Sequence, residues 1–147
     1  MNFIAIILAI LITISHNSDT ETFIINGPSM EPTLKNNERV EVDLTFYETN
    51  PINRNDLVYF RSGNETSYIK RVIGLPNEVI VIKGNTISID GKVVITFDNV
   101  SAILEEGTYS TGPEEYFVIG DNINNSFDSR AIGPIKRNQI LGKITNK

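Results

Sequence analysis

Cysteine is absent from this chain and histidine occurs once. No disulfide, thiolate nucleophile or thiolate metal site can form. The single histidine, His16, ends an apolar N-terminal run, a poor place for a general base. A Ser-His-Asp triad and a conventional zinc site are both disfavoured. Basic residues form no long block, and the net charge is −5, which argues against nucleic acid as a partner. Also missing is any ionisable side chain in the first 15 residues.

Phe3 to Ile14 is apolar apart from Thr13. This run is shorter than the ~20 residues a helix needs to cross a typical hydrocarbon core. A cleaved leader would need a charged n-region and a small-residue cleavage site, and neither is present. A buried core helix fits poorly at the extreme N-terminus. The expected reading is a short membrane anchor over residues 1–15, in contact with lipid and helped by local bilayer thinning. No Lys or Arg precedes it, so the sequence leaves its orientation open. A polar linker is expected over 16–22 and one β-rich domain over 23–147, a length suited to a modest single core.

After the linker the chain reads as short strands. Val40, Val42, Leu44 and Phe46 alternate with polar neighbours, the period of a half-buried strand. Strands are also expected over 56–61, 68–73, 78–83, 85–89, 116–119 and 139–144. Asp90-Gly91 signals a tight hairpin. Residues 99–113 are the least patterned and predict a long loop. No sustained helical period appears, so the expected fold is mainly β, an antiparallel folded-over, barrel-like sheet.

What remains for chemistry is Ser29, in the stiff segment Gly27-Pro28-Ser29-Met30-Glu31-Pro32-Thr33-Leu34, and Lys70, in Tyr68-Ile69-Lys70-Arg71-Val72-Ile73-Gly74. Apolar neighbours around Lys70 would desolvate its amine, lower its pKa and let it take a proton from a serine hydroxyl. Taken singly, each segment reads as well as a turn serine or an exposed strand lysine. A third segment, Gly120-Asp121-Asn122-Ile123-Asn124-Asn125-Ser126-Phe127-Asp128-Ser129-Arg130, read alone is a loop rich in Asx turns.

In order, GPSMEPTL, RNDLVYF, YIKRVIGLPNE and GDNINNSFDSR resemble the type I signal peptidases, in particular the short bacterial forms with one N-terminal anchor. The resemblance spans about Phe23 to Ile144. It implies a membrane-anchored serine endopeptidase with a Ser-Lys dyad that removes signal peptides from exported preproteins. It implies no cofactor or metal, a monomer, and a catalytic domain on the extracytoplasmic side of the cell membrane. Ser29 would be the nucleophile and Lys70 the general base. Ser126 would hydrogen-bond the Lys70 amine, Asp128 and Arg130 would brace the loop as an ion pair, and Gly120 would keep the backbone close. The oxyanion donors would be the Ser29 N–H and, where relatives often carry a hydroxyl, the Gly27 N–H. Substrate would bind as an added strand along residues 23–27 and 67–69. Phe23, Ile25, Met30, Leu34, Tyr68 and Ile69 would line its apolar pockets, although core packing explains each of these equally well. Ile123 stands where the family usually has arginine, and loop stability is where that departure should be felt.

Three other readings differ in testable features. A self-cleaving repressor of the SOS type carries a DNA-binding domain in place of an anchor. A non-catalytic relative that binds preproteins or partners would lack the dyad, and both residues are present here. A structural anchored β-protein accounts for none of the four ordered motifs.

Overall fold

A computed structural model describes residues 19–63, 66–98 and 105–146. The expected anchor and His16 lie outside the described residues, among which no helix is long and apolar enough to cross a membrane. The described chain is mainly β. Its strands are β1 (Thr20–Ile24), β2 (Arg39–Asp43), β3 (Leu57–Arg61), β4 (Ser67–Gly74), β5 (Val79–Lys83), β6 (Thr86–Ile89), β7 (Lys92–Thr96), β8 (Gly107–Ser110), β9 (Glu115–Ile119), β10 (Ile135–Lys136) and β11 (Ile140–Asn146). Two single-turn helices, α1 (Phe46–Thr49) and α2 (Ser129–Ile132), complete the elements that matter below.

The strands form a seven-stranded sheet in the order β1-β2-β11-β3-β4-β9-β10 and a four-stranded sheet in the order β7-β6-β5-β8. Every pairing is antiparallel. Alternation decides which side chains go inside. Val40 and Val42 of β2 pack with Ile25, Met30, Leu34, Leu57 and Tyr59 in one cluster. Val58 and Phe60 of β3 face the other way, against Val72, Val118 and Ile140. Ile80, Ile82, Ile87 and Ile89 pack under the smaller sheet with Ile73, Phe117 and Ile119.

The structure revises three expectations. The strand through Val40 ends at Asp43, because the Asp43 carboxylate accepts from both the Thr45 N–H and hydroxyl at 2.9 Å and turns the chain into α1. Phe46 therefore starts a helical turn. The stretch expected as loop contains β8, which is weakly patterned in sequence and owes its strand form to pairing with β5 from Val79↔Ser110 to Ile82↔Gly107. β1 begins at Thr20, inside the expected linker, where exposed β-branched threonines pair with β2. The Asp90-Gly91 hairpin forms as read, with φ of 48° and 81° at its two central residues.

Candidate active site

The nucleophile segment leaves β1 and packs Met30 and Leu34 into the core, with relative exposures of 2% and 0%. Those two anchors, with the Leu34 N–H donating to the Met30 carbonyl at 2.9 Å, hold the intervening turn. Ser29 projects from it toward β4. Lys70, 3% exposed, lies midway along β4, and its Nζ is 2.8 Å from Ser29 Oγ and 3.0 Å from the Ile69 carbonyl. The amine also lies 5.7 Å from the centre of the Tyr68 ring. Burial lowers the Lys70 pKa from 10.5 to about 8; the carboxylates of Asp128 and Asp121 pull it partly back up. Arg71, next in the strand, points away from Lys70 and grips Asp121 with two bonds of 2.8 and 2.6 Å.

The loop from Gly120 to Arg130 closes the site. Asp128 is fully buried and accepts from the Gly120 N–H at 2.9 Å and from Arg130 Nε and Nη2 at 2.8 Å each. Its carboxylate also accepts the Arg130 N–H at 3.3 Å, so it caps α2. Arg130 reaches back to the carbonyls of Ile123 and Ser126. The expected brace is thus formed. Ile123 takes part through its carbonyl while its side chain, 8% exposed, joins the apolar cluster with Ile119. Gly120 is a close approach: a Cβ there would lie 2.1 Å from Ser126 Oγ and 2.5 Å from the Ser29 carbonyl oxygen.

Three sequence expectations need correction. Ser126 makes no hydrogen bond to Lys70; its hydroxyl is packed over Gly120 and is the buried side-chain atom without a partner among the described residues. The amine instead donates to the carbonyl of its own neighbour, Ile69. Gly27 N–H is not a free oxyanion donor. It donates to Asn36 Oδ1 at 2.9 Å, because Asn36 extends the β2 side of the ladder past Ile25. Ser29 N–H makes no hydrogen bond among the described residues. Leu34 lines no pocket, since its burial in the core is complete.

Phe23, Ile25, Met30, Tyr68 and Ile69 do line an open groove of about 460 Å³ that contains Ser29 and Lys70. Its walls are strand edges. Ile25 bonds toward β2 through Glu38 and Asn37, so alternation turns the backbone groups of Ile24 and Asn26 to the groove. On β4, Val72 donates to Asp56 on the β3 side, which turns Ser67 and Ile69 outward, and β9 covers β4 only from Arg71 onward. β1 and β4 run in the same direction, since three antiparallel neighbours separate them.

Asn122 was not singled out by sequence. Its N–H donates to the Ser29 carbonyl at 3.0 Å and its side-chain amide to the Pro28 carbonyl at 3.1 Å, tying the loop to the nucleophile turn. The signal was an asparagine among turn formers, which predicts local bonds more readily than one across 94 residues.

Known proteins are similar to this chain. The signal peptidase IB of Staphylococcus aureus (strain COL) is 34% identical over 142 residues, covering 84% of this chain and 74% of its own. The signal peptidase I S of Bacillus subtilis (strain 168) is 36% identical over 152 residues, covering 95% and 80%. The crystal structure of a signal peptidase I from Enterococcus faecalis V583 superposes with a TM-score of 0.58 at 28% identity, covering 65% of this chain and 98% of that one. A family model described as signal peptidase, peptidase S26, matches residues 1–146. With nearly its whole length matched, the chain belongs to the signal peptidase family, peptidase S26.

Proposed function

We propose that this chain is a signal peptidase, a serine endopeptidase that cuts signal peptides from exported preproteins after small residues, with Ser29 and Lys70 as its dyad. The observation that carries this is the 2.8 Å contact between Ser29 Oγ and a buried amine of lowered pKa. With a pKa of about 8, about a tenth of Lys70 is neutral at pH 7, against almost none for an exposed lysine. The neutral amine takes the Ser29 hydroxyl proton as Oγ attacks the scissile carbonyl carbon. The oxyanion that forms is met by the Ser29 N–H. Lys70 then gives its proton to the departing amine as the C–N bond breaks. A water attacks the resulting ester, Lys70 takes that water's proton, and Ser29 is released from the acid product with its proton restored.

Preprotein binds in the groove as a strand between β1 and β4, bonding to the outward groups of Ile24, Asn26, Ser67 and Ile69. Side chains before the cut that face Phe23, Ile25, Met30 and Ile69 must be small, because those residues belong to a packed apolar cluster. Residues 1–15 anchor the enzyme in the cell membrane, and the catalytic domain works on the extracytoplasmic face as a monomer.

The experiment is direct. Purified full-length chain in detergent, incubated with a preprotein, is expected to release a mature form whose new N-terminus follows a small residue. An intact preprotein after long incubation, with the domain folded, would sink the peptidase reading and favour a binding role.

A further inference from the structure

In the mechanism above the Ser29 N–H meets the developing oxyanion, and the Gly27 N–H is already taken by Asn36. The rate then leans on how well one peptide unit is aimed, the unit that runs from the Pro28 carbonyl to the Ser29 N–H. It is trans, so its C=O and N–H lie in one plane and point in opposite directions. Whatever holds the carbonyl on one edge sets the direction of the N–H on the other.

Two donors hold that carbonyl. The Glu31 N–H donates to it at 3.0 Å, which closes the nucleophile turn on itself. The Asn122 side-chain amide donates to the same oxygen at 3.1 Å, from a loop on the far side of the sequence. The first bond belongs to the turn and moves with it. The second ties the peptide unit to the rest of the molecule. Asn122 has a fixed backbone from which to do this. Its N–H donates to the Ser29 carbonyl at 3.0 Å, and its carbonyl accepts from the Asn125 N–H at 2.9 Å. Just before it, Arg71 grips Asp121 and buried Asp128 holds the Gly120 N–H. A hydrogen bond accepted by an amide carbonyl also polarises that amide and strengthens its N–H as a donor. Both effects matter most when negative charge has formed on the substrate oxygen.

We propose that Asn122 is a positioning residue for oxyanion stabilisation: its side-chain amide acts through the Pro28–Ser29 peptide to aim and polarise the Ser29 N–H. The inference rests on the peptidase reading and deepens it. The Asn122 amide bonds to a carbonyl of the turn, and the Ser29 hydroxyl and Lys70 are left to each other. Asn122→Ala removes the amide but keeps the backbone bond to the Ser29 carbonyl, so the loop stays tied. Asn122→Asp keeps the shape but sets a carboxylate, which only accepts, against the Pro28 carbonyl.

The test uses full-length enzyme in detergent, a preprotein, and active sites counted by burst titration. In both variants kcat per active site is expected to fall about five- to twentyfold, with KM within about twofold of wild type. The loss is smaller than the ~10²–10³ that follows removal of an oxyanion donor outright, because the Glu31 bond remains. The rising limb of kcat/KM should keep its apparent pKa of about 8, since the Lys70 amine is untouched. A peptide aldehyde and the matching peptide alcohol separate aim from binding. Ser29 Oγ adds to the aldehyde carbon and leaves its oxygen in the oxyanion position, whereas the alcohol forms no adduct. The aldehyde is expected to bind more weakly by about the factor lost in kcat, and the alcohol to bind within about twofold of wild type. Unchanged kcat per active site overturns the inference and leaves the peptidase reading intact. So does equal weakening of aldehyde and alcohol, which places Asn122 in substrate binding, or a displaced limb, which makes it act on Lys70. A wild-type enzyme that cuts no preprotein overturns the peptidase reading and this inference with it.

Discussion

Replacing either Ser29 or Lys70 with alanine is expected to lower kcat/KM for preprotein cleavage by on the order of 10⁴-fold or more, and replacing both should cost no more than replacing one. In the proposed mechanism the two groups act as a unit. Without Lys70 the Ser29 hydroxyl has no base within reach, since the amine 2.8 Å away is its one side-chain partner among the described residues. Without Ser29 the amine has nothing to activate. Stability should respond differently. A lysine whose folded pKa is lowered costs stability, fully below pH 8 or so, and the cost fades as pH rises from there toward the unfolded value of 10.5. Lys70→Met, which keeps most of the volume and drops the charge, is therefore expected to be at least as stable as wild type at pH 7 while inactive. Denaturant unfolding beside the activity assay separates the two effects. A Lys70→Met protein that cleaves at more than a few per cent of the wild-type rate removes Lys70 from the chemistry.

Gly120→Ala should be the most damaging change outside the dyad. The added methyl would meet Ser126 Oγ at 2.1 Å, the Ser29 carbonyl oxygen at 2.5 Å and Ser126 Cβ at 2.6 Å. None of these is the free end of a flexible side chain. The Ser29 carbonyl is held by the Asn122 N–H at 3.0 Å, and the Gly120 N–H is itself held by buried Asp128 at 2.9 Å. To make room, either the nucleophile turn or the Ser126 loop must move by an ångström or so. Displacement of that size is worth about 10² in rate, and the overpacking about 1–3 kcal/mol in stability. Burst titration with an acylating inhibitor reports the fraction of folded enzyme, so the loss should appear in kcat per active site. Unchanged kcat in Gly120→Ala would mean that the loop and the nucleophile turn are not coupled as the contacts suggest.

The parts of this molecule that sequence makes legible are those fixed by composition or by period. With no cysteine and one histidine at the end of an apolar run, Ser29 and Lys70 stood out by elimination, and four ordered motifs tied them together. Val40 and Val42 alternate clearly and mark their strand; Gly107 to Ser110 is short and polar and becomes a strand only because β5 lies beside it. Leu34 shows the limit of pattern reading near a site. An apolar residue close to a nucleophile can line a pocket or fill the core, and its zero exposure settles that it fills the core. The surroundings of Gly27 and Ser126 are hidden from the sequence for a second reason. Where a backbone N–H or a hydroxyl ends up depends on how the turns pack: the Gly27 N–H is taken by the Asn36 side chain, and the Ser126 hydroxyl is packed over Gly120 without a partner.

The pH dependence of kcat/KM tests the lysine-base account most directly, because it reads the free enzyme's essential base. The account predicts a rate that rises with pH along a limb of apparent pKa about 8, the value set by burial of Lys70, and that is unchanged when His16 is replaced. A limb near ~6.5, the ordinary imidazole value, or one that disappears in His16→Ala, would contradict it.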